Sequence, residues 1–126
     1  RSSDLLIKLG PERLFRLASP EMQFYLSGRA DPERLRIHDF IWTAERRVLE
    51  LSIHSSAWSD ACTAMGEDGA TVAMLILDAR RDDPVAPIIS PGGYLRGMTR
   101  AWLQGHLNMM GSLIGLSERR RREEAL

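Results

Sequence analysis

The sequence predicts an all-α fold, a compact bundle of six to eight helices in a single domain spanning residues 1–126. Three observations carry that expectation. Apolar residues recur at helical spacing throughout, and no sustained period-two alternation marks a strand. Leu, Ala, Arg, Glu and Met dominate, while β-branched residues are scattered. Several segments open on a capping residue followed by proline, whose missing N–H does no harm at a first helical position. With 126 residues, 44% of them hydrophobic, the chain is long enough to bury one core.

Residues 3–9 read as a short helix closed by Gly10, and Pro11 restarts the chain with Leu14, Phe15, Leu17 and Ala18 facing inward. Ser19-Pro20-Glu21 opens a short helix carrying Met22, Phe24, Tyr25 and Leu26, which stops at Gly28. Asp31-Pro32-Glu33 opens the helix expected at the centre of the bundle, over about residues 32–52. Leu35, His38, Ile41, Trp42, Val48 and Leu49 lie along one side of it, and Ile37, Phe40, Ala44 and Leu51 widen the stripe. A stripe that wide is packed by more than one neighbour. His38 is then a hydrogen-bonded core residue.

Ser55 or Ser56 caps the next helix, which carries Ala57, Trp58, Ala61, Cys62 and Met65 to Gly66. Residues 67–81 follow as a helix rich in large apolar side chains, its acidic start and basic end suiting the helix dipole. Residues 82–87 form a loop. Ser90-Pro91 begins a helix with Tyr94, Leu95, Met98, Ala101, Trp102 and Leu103 on a broad apolar face, ended by Gly105. Asn108 caps a last helix whose apolar part, to Leu116, runs into an exposed charged tail.

Seventeen basic and seventeen acidic residues give a formal net charge of zero, against a domain whose main work is non-specific grip on nucleic acid. The single cysteine rules out an internal disulfide and fits a cytoplasmic protein. No apolar run approaches the length of a membrane span, and no signal peptide opens the chain. No pair of the three histidines has metal-ligand spacing, and nothing orders a nucleophile beside a base. The chain is therefore expected to be non-enzymatic, with no catalytic residue, metal, cofactor, small-molecule substrate or membrane contact. It begins at Arg1 without a methionine, which suggests a fragment of a longer protein.

Three constellations stand out. Ser90, Gly92 and Gly93, with Arg96 and Arg100 one turn apart, make a helix start that could hold a phosphate on its free N–H groups. The favoured reading is structural: two glycines, each a poor helix former, let this helix sit tightly on a neighbour. Cys62, Gly66, Val72 and Leu75 have helix-turn-helix spacing, but the second helix would offer Asp68, Gly69, Ala70, Ala73, Met74 and Leu77 to a groove. Such a surface is acidic or apolar, so a packed helical hairpin is favoured over a DNA reader at residues 55–81. Arg119, Arg120, Arg121 and Arg122 read as a solvated helix end or a DNA-backbone contact, their field cut by Glu118, Glu123 and Glu124.

The segment from Ser55-Ser56-Ala57-Trp58, through Ala61 and Met65-Gly66, to Ile89-Ser90-Pro91-Gly92-Gly93-Tyr94-Leu95-Arg96 resembles the C-terminal region of replication protein C. That family comprises initiators of repABC-type plasmids and secondary replicons of alphaproteobacteria. The resemblance extends to Gly111, Leu113 and Leu116, about the last two-thirds of the chain. It implies the C-terminal fragment of a longer cytoplasmic initiator that acts at plasmid origin DNA. It also implies an accessory role, contacting another initiator copy or host replication proteins and supporting origin binding by an N-terminal winged-helix domain. Direct DNA binding by residues 55–81 and a generic helical oligomerisation domain are the alternatives.

Overall fold

A computed structural model describes the backbone of residues 2–125 and the side chains of residues 8–125. Among the described residues the chain is all-α, with no strand. The helices are α1 (Ser2–Leu17), α2 (Pro20–Ser27), α3 (Ile37–Glu50), α4 (Ser55–Arg80), α5 (Pro91–Leu103) and α6 (Met109–Ala125), with a 3-10 turn at Pro32–Arg34.

Local chemistry sets most boundaries as the sequence predicts. Ser19 accepts the N–H of Met22 at 3.1 Å and Pro20 follows it, so α2 starts there and ends at Gly28. Asn108 accepts the N–H of Gly111 at 2.8 Å to begin α6. Gly10 and Gly66 adopt φ 78° with ψ 161° and 162°, breaking α1 and α4 each into two arms. That region is essentially closed to residues with a Cβ, so each glycine is a hinge between helices rather than a helical residue. The cap of α4 differs from the expectation: His54, not Ser55 or Ser56, accepts the N–H of Ser56, at 3.0 Å through its Nδ1.

The centre of the bundle lies elsewhere than expected. The helix expected over residues 32–52 is broken: Leu35 and Arg36 are extended at ψ 142° and 167°, and α3 begins only at Ile37. The second arm of α4 takes the central place, with every residue from Gly69 to Asp78 buried and α1, α3, α5 and α6 all packed on α4. A helix apolar on all sides belongs in the middle of a core. Each of Val72, Met74, Leu75, Ile76 and Leu77 is at most 2% exposed, burial worth about 1.5–3 kcal/mol apiece. The same burial keeps Ala70, Ala73, Met74 and Leu77 from entering a DNA groove, because they are sealed inside the protein.

α3 is also turned relative to the expected stripe. Asp39, Phe40, Thr43, Ala44, Arg47 and Val48 face inward, whereas Leu49 and His38 are exposed. His38 is thus a surface residue, and the ionic partners of Asp39 and Arg47 explain the rotation (see below). On α5 only Leu95, Met98 and Thr99 are buried, while Tyr94 and Leu103 remain open.

Candidate functional site

The start of α5 does not do what its glycines suggest. Ser90 Oγ accepts the N–H of Gly93 at 3.2 Å, which consumes one donor of the supposed phosphate cradle. A Cβ placed on Gly92 would meet nothing within 4 Å, and one on Gly93 would meet only the Ser90 side chain. No neighbouring helix nestles there, so the close-packing reading is corrected: within this chain the glycines stand open. Arg96 turns back to α4, donating to Ser56 Oγ at 2.6 Å and lying 3.2 Å from Asp60. Arg100, one turn further along the same helix, stays exposed. These residues share a helix but assemble no anion site.

The four arginines of α6 separate onto two faces. Arg119 lies 3.5 Å from Asp83 of the α4–α5 loop, and with Arg80 and Arg122 it lines a hollow of about 430 Å³. Arg120 donates to the carbonyls of Ala18 at 3.0 Å and Leu17 at 3.4 Å, closing the C-terminal end of α1. With Arg13, Arg16 and Arg121 it borders a groove of about 820 Å³ between α1 and α6, lined by Leu9, Leu17 and Leu113 with Ile114 at its edge. Two carboxylates, Glu123 and Glu124, share its rim.

Two constellations escaped sequence reasoning. The first is ionic. Asp78, with no exposed side-chain surface, accepts from Arg47 Nε at 2.8 Å and Nη2 at 3.0 Å. Ser19 Oγ donates to it at 2.7 Å and Arg81 Nε at 3.2 Å. Arg47 also reaches Glu50 at 2.8 Å, and Arg81 reaches Glu21 at 3.1 Å. One carboxylate therefore ties the cap of α2, the inner face of α3 and the end of α4 together. Burial alone would lower the Arg47 pKa, but the hydrogen bonds to Asp78 and Glu50 raise it above its ordinary value, so the guanidinium stays charged.

The second is an exposed cluster of aromatic and guanidinium groups on α2, the turn that follows it, and α3. Tyr25 meets Phe24 and Trp42 edge-on, with ring centroids 5.8 Å and 6.0 Å away. Arg29 lies 4.6 Å from the Trp42 ring centre, and Arg46 lies 5.3 Å from that of Tyr25 and 5.4 Å from that of Trp42. Arg29 is held by Asp39 at 2.7 Å. Burial acts to raise the Asp39 pKa, but the Arg36 N–H and the Arg29 guanidinium outweigh it and hold the carboxyl below its ordinary value. Tyr25 donates to Glu50, which with Arg47 holds that carboxyl low as well. Phe24 is left 76% exposed beside these rings. Trp42 and Arg46, like Tyr25 and Arg29, stand four residues apart, the one signal in the sequence that pairs them.

Cys62 is half-buried, and burial pushes its thiol pKa up, away from nucleophile chemistry. Among the described residues no group of acidic, histidine or cysteine side chains is placed to hold a metal ion. No helix among them is long and apolar enough to cross a membrane.

Fold and surface together define a small all-α domain whose polar chemistry is spent on ionic cross-links inside and on contact faces outside. The chain belongs to the replication protein C family: residues 12–119 match its C-terminal region. It is also similar to a relative from Rhizobium rhizogenes whose name proposes it as a replication protein C, at 46% identity over 50 residues. That stretch covers 40% of this chain and 11% of the relative, so the chain matches only a small part of that relative's length. No solved structure matches the chain at a significant level.

Proposed function

We propose that this domain is the accessory C-terminal part of a plasmid replication initiator, non-enzymatic and cytoplasmic. In this reading it contacts another initiator copy or a host replication protein, while a winged-helix domain elsewhere in the full-length initiator grips origin DNA. Membership of the replication protein C family supports the replication role.

The observation that carries protein contact over DNA contact is the dispersal of the arginines that the sequence of α5 and α6 places side by side. Arg96 is turned to Asp60, Arg119 to Asp83, and Arg120 to backbone carbonyls, leaving Arg100, Arg121 and Arg122 on separate helices or faces. A DNA-backbone track needs arginines that line up and are free to replace counterions. The exposed Phe24, Trp42, Arg29 and Arg46 have instead the residue types that dominate protein interfaces.

A titration of this chain on plasmid-origin duplex at two salt concentrations tests the reading. Weak binding with little salt dependence is expected. Tight binding that falls steeply with salt would overturn it.

A further inference from the structure

Two surfaces of this chain complement each other yet do not meet within one molecule. The first is the α4–α5 loop. Ile88 N–H closes its base on the Arg81 carbonyl at 3.3 Å, and Asp83 Oδ1 accepts the N–H of Val85 at 2.9 Å. The loop is thereby held in shape, yet Val85 is 92% exposed, Ile89 93%, and the Asp82 side chain 81%. Isolated exposed apolar residues are ordinary on a surface, but two on one braced loop make a docking shape, beside a carboxylate whose contact is the neighbouring Arg81 at 3.4 Å. The second surface is the α1–α6 groove of about 820 Å³, with a leucine-rich floor and arginines at its rim. Arg13 and Arg121 pair with no carboxylate among the described residues, and Ile114 is 50% exposed at its edge.

We infer that the α4–α5 loop of one copy docks in the α1–α6 groove of a second copy, Val85 and Ile89 meeting the apolar floor and Asp82 facing the rim arginines. The inference rests on the protein-contact reading above and gives that reading a partner and a place. The loop cannot serve its own groove: Asp83 is held by Arg119 against the opposite face of α6, where a separate hollow lies. The occupant is favoured over nucleic acid because phosphates gain nothing from Leu9, Leu113 and Ile114, whereas Val85 and Ile89 are matched to them. Loop and groove are different patches, so the contact is heterologous and each copy keeps one free loop and one free groove. A contact this small gives weak association, visible at high concentration.

Sedimentation of the chain from about 10 μM to about 1 mM reads this directly, since small interfaces bind weakly. The weight-average mass should climb from 14.2 kDa past twice that value and fall back as salt is raised. Val85→Arg spoils the loop and Arg121→Glu spoils the groove; both sites are exposed, so the fold should persist, which circular dichroism checks. Each variant alone should remain monomeric. Mixed, they should form a 1:1 dimer and nothing larger, because Arg121→Glu retains a good loop and Val85→Arg a good groove. A wild type that stays monomeric throughout would overturn the inference, as would association that ignores both variants. If a monomeric wild type binds origin duplex tightly and with a steep salt dependence, the protein-contact reading falls too. If it binds no duplex, only the loop-in-groove contact falls.

Discussion

Removing Arg47 should unhinge the bundle, because it leaves a carboxylate stranded in the core. In the folded chain Asp78 has no exposed side-chain surface and takes a two-pronged bond from Arg47 at 2.8 and 3.0 Å. Arg47→Met keeps most of the stem volume but withdraws that charge. Breaking a buried pair from one side typically costs about 3–5 kcal/mol. Ser19 and Arg81 still serve Asp78, which puts the expected loss near the lower end, about 3 kcal/mol. At about 0.05–0.15 kcal/mol per residue, 126 residues give roughly 6–19 kcal/mol in all, so the variant should fold but melt about 10–15 °C lower. Asp78→Asn should also destabilise, and the double variant should lose less than the sum by about 2 kcal/mol. Urea unfolding of all four proteins supplies the cycle. Additivity within about 0.5 kcal/mol would refute the claim that one ionic unit joins α2, α3 and α4.

The two glycine settings should respond in opposite directions. Gly66→Ala, at φ 78°, should lower stability by about 1–3 kcal/mol, whereas Gly92→Ala, with open space around it, should be neutral or raise it by up to about 1 kcal/mol; thermal melts separate the two. Thr71 buries a hydroxyl that finds no hydrogen-bond partner among the described residues, so Thr71→Val should raise the urea midpoint, by about 1 kcal/mol of stability. Asp39 and Glu50 both have folded pKa values below the ordinary ones, so the unfolded chain takes up protons first. Their stabilisation is complete above the unfolded carboxylate pKa, about 4, and is lost as pH falls through the folded values; a Tm that rises on acidification would contradict this.

How far the sequence could be read depended on whether burial followed hydrophobicity. Where it did, at the Ser19 and Asn108 caps, the Gly10 and Gly66 hinges and the apolar arm of α4, local rules placed the elements. The error in the facing of α3 came from reading Trp42 and Leu49 as inward, where Asp39 and Arg47 turn out to be buried. The ion pairs of those two charged residues reverse that order, and their partners, Arg29 and Asp78, lie 10 and 31 residues away, beyond any periodicity. The paired glycines of α5 misled in another way, since their small size suggests a contact that none of the described residues makes. The arginine run on α6 looked like one patch only because adjacency in sequence hides the turn of a helix.

The central claim is that this domain strengthens an initiator through polypeptide contacts and not through phosphates. It is tested most directly in a longer initiator carrying the domain, by the slope of log affinity for origin duplex against log salt. The slope should not change when Arg96, Arg100 and the α6 arginines Arg119, Arg121 and Arg122 are replaced by Gln. A slope that becomes shallower by about 0.9 for each lost phosphate contact would contradict the account.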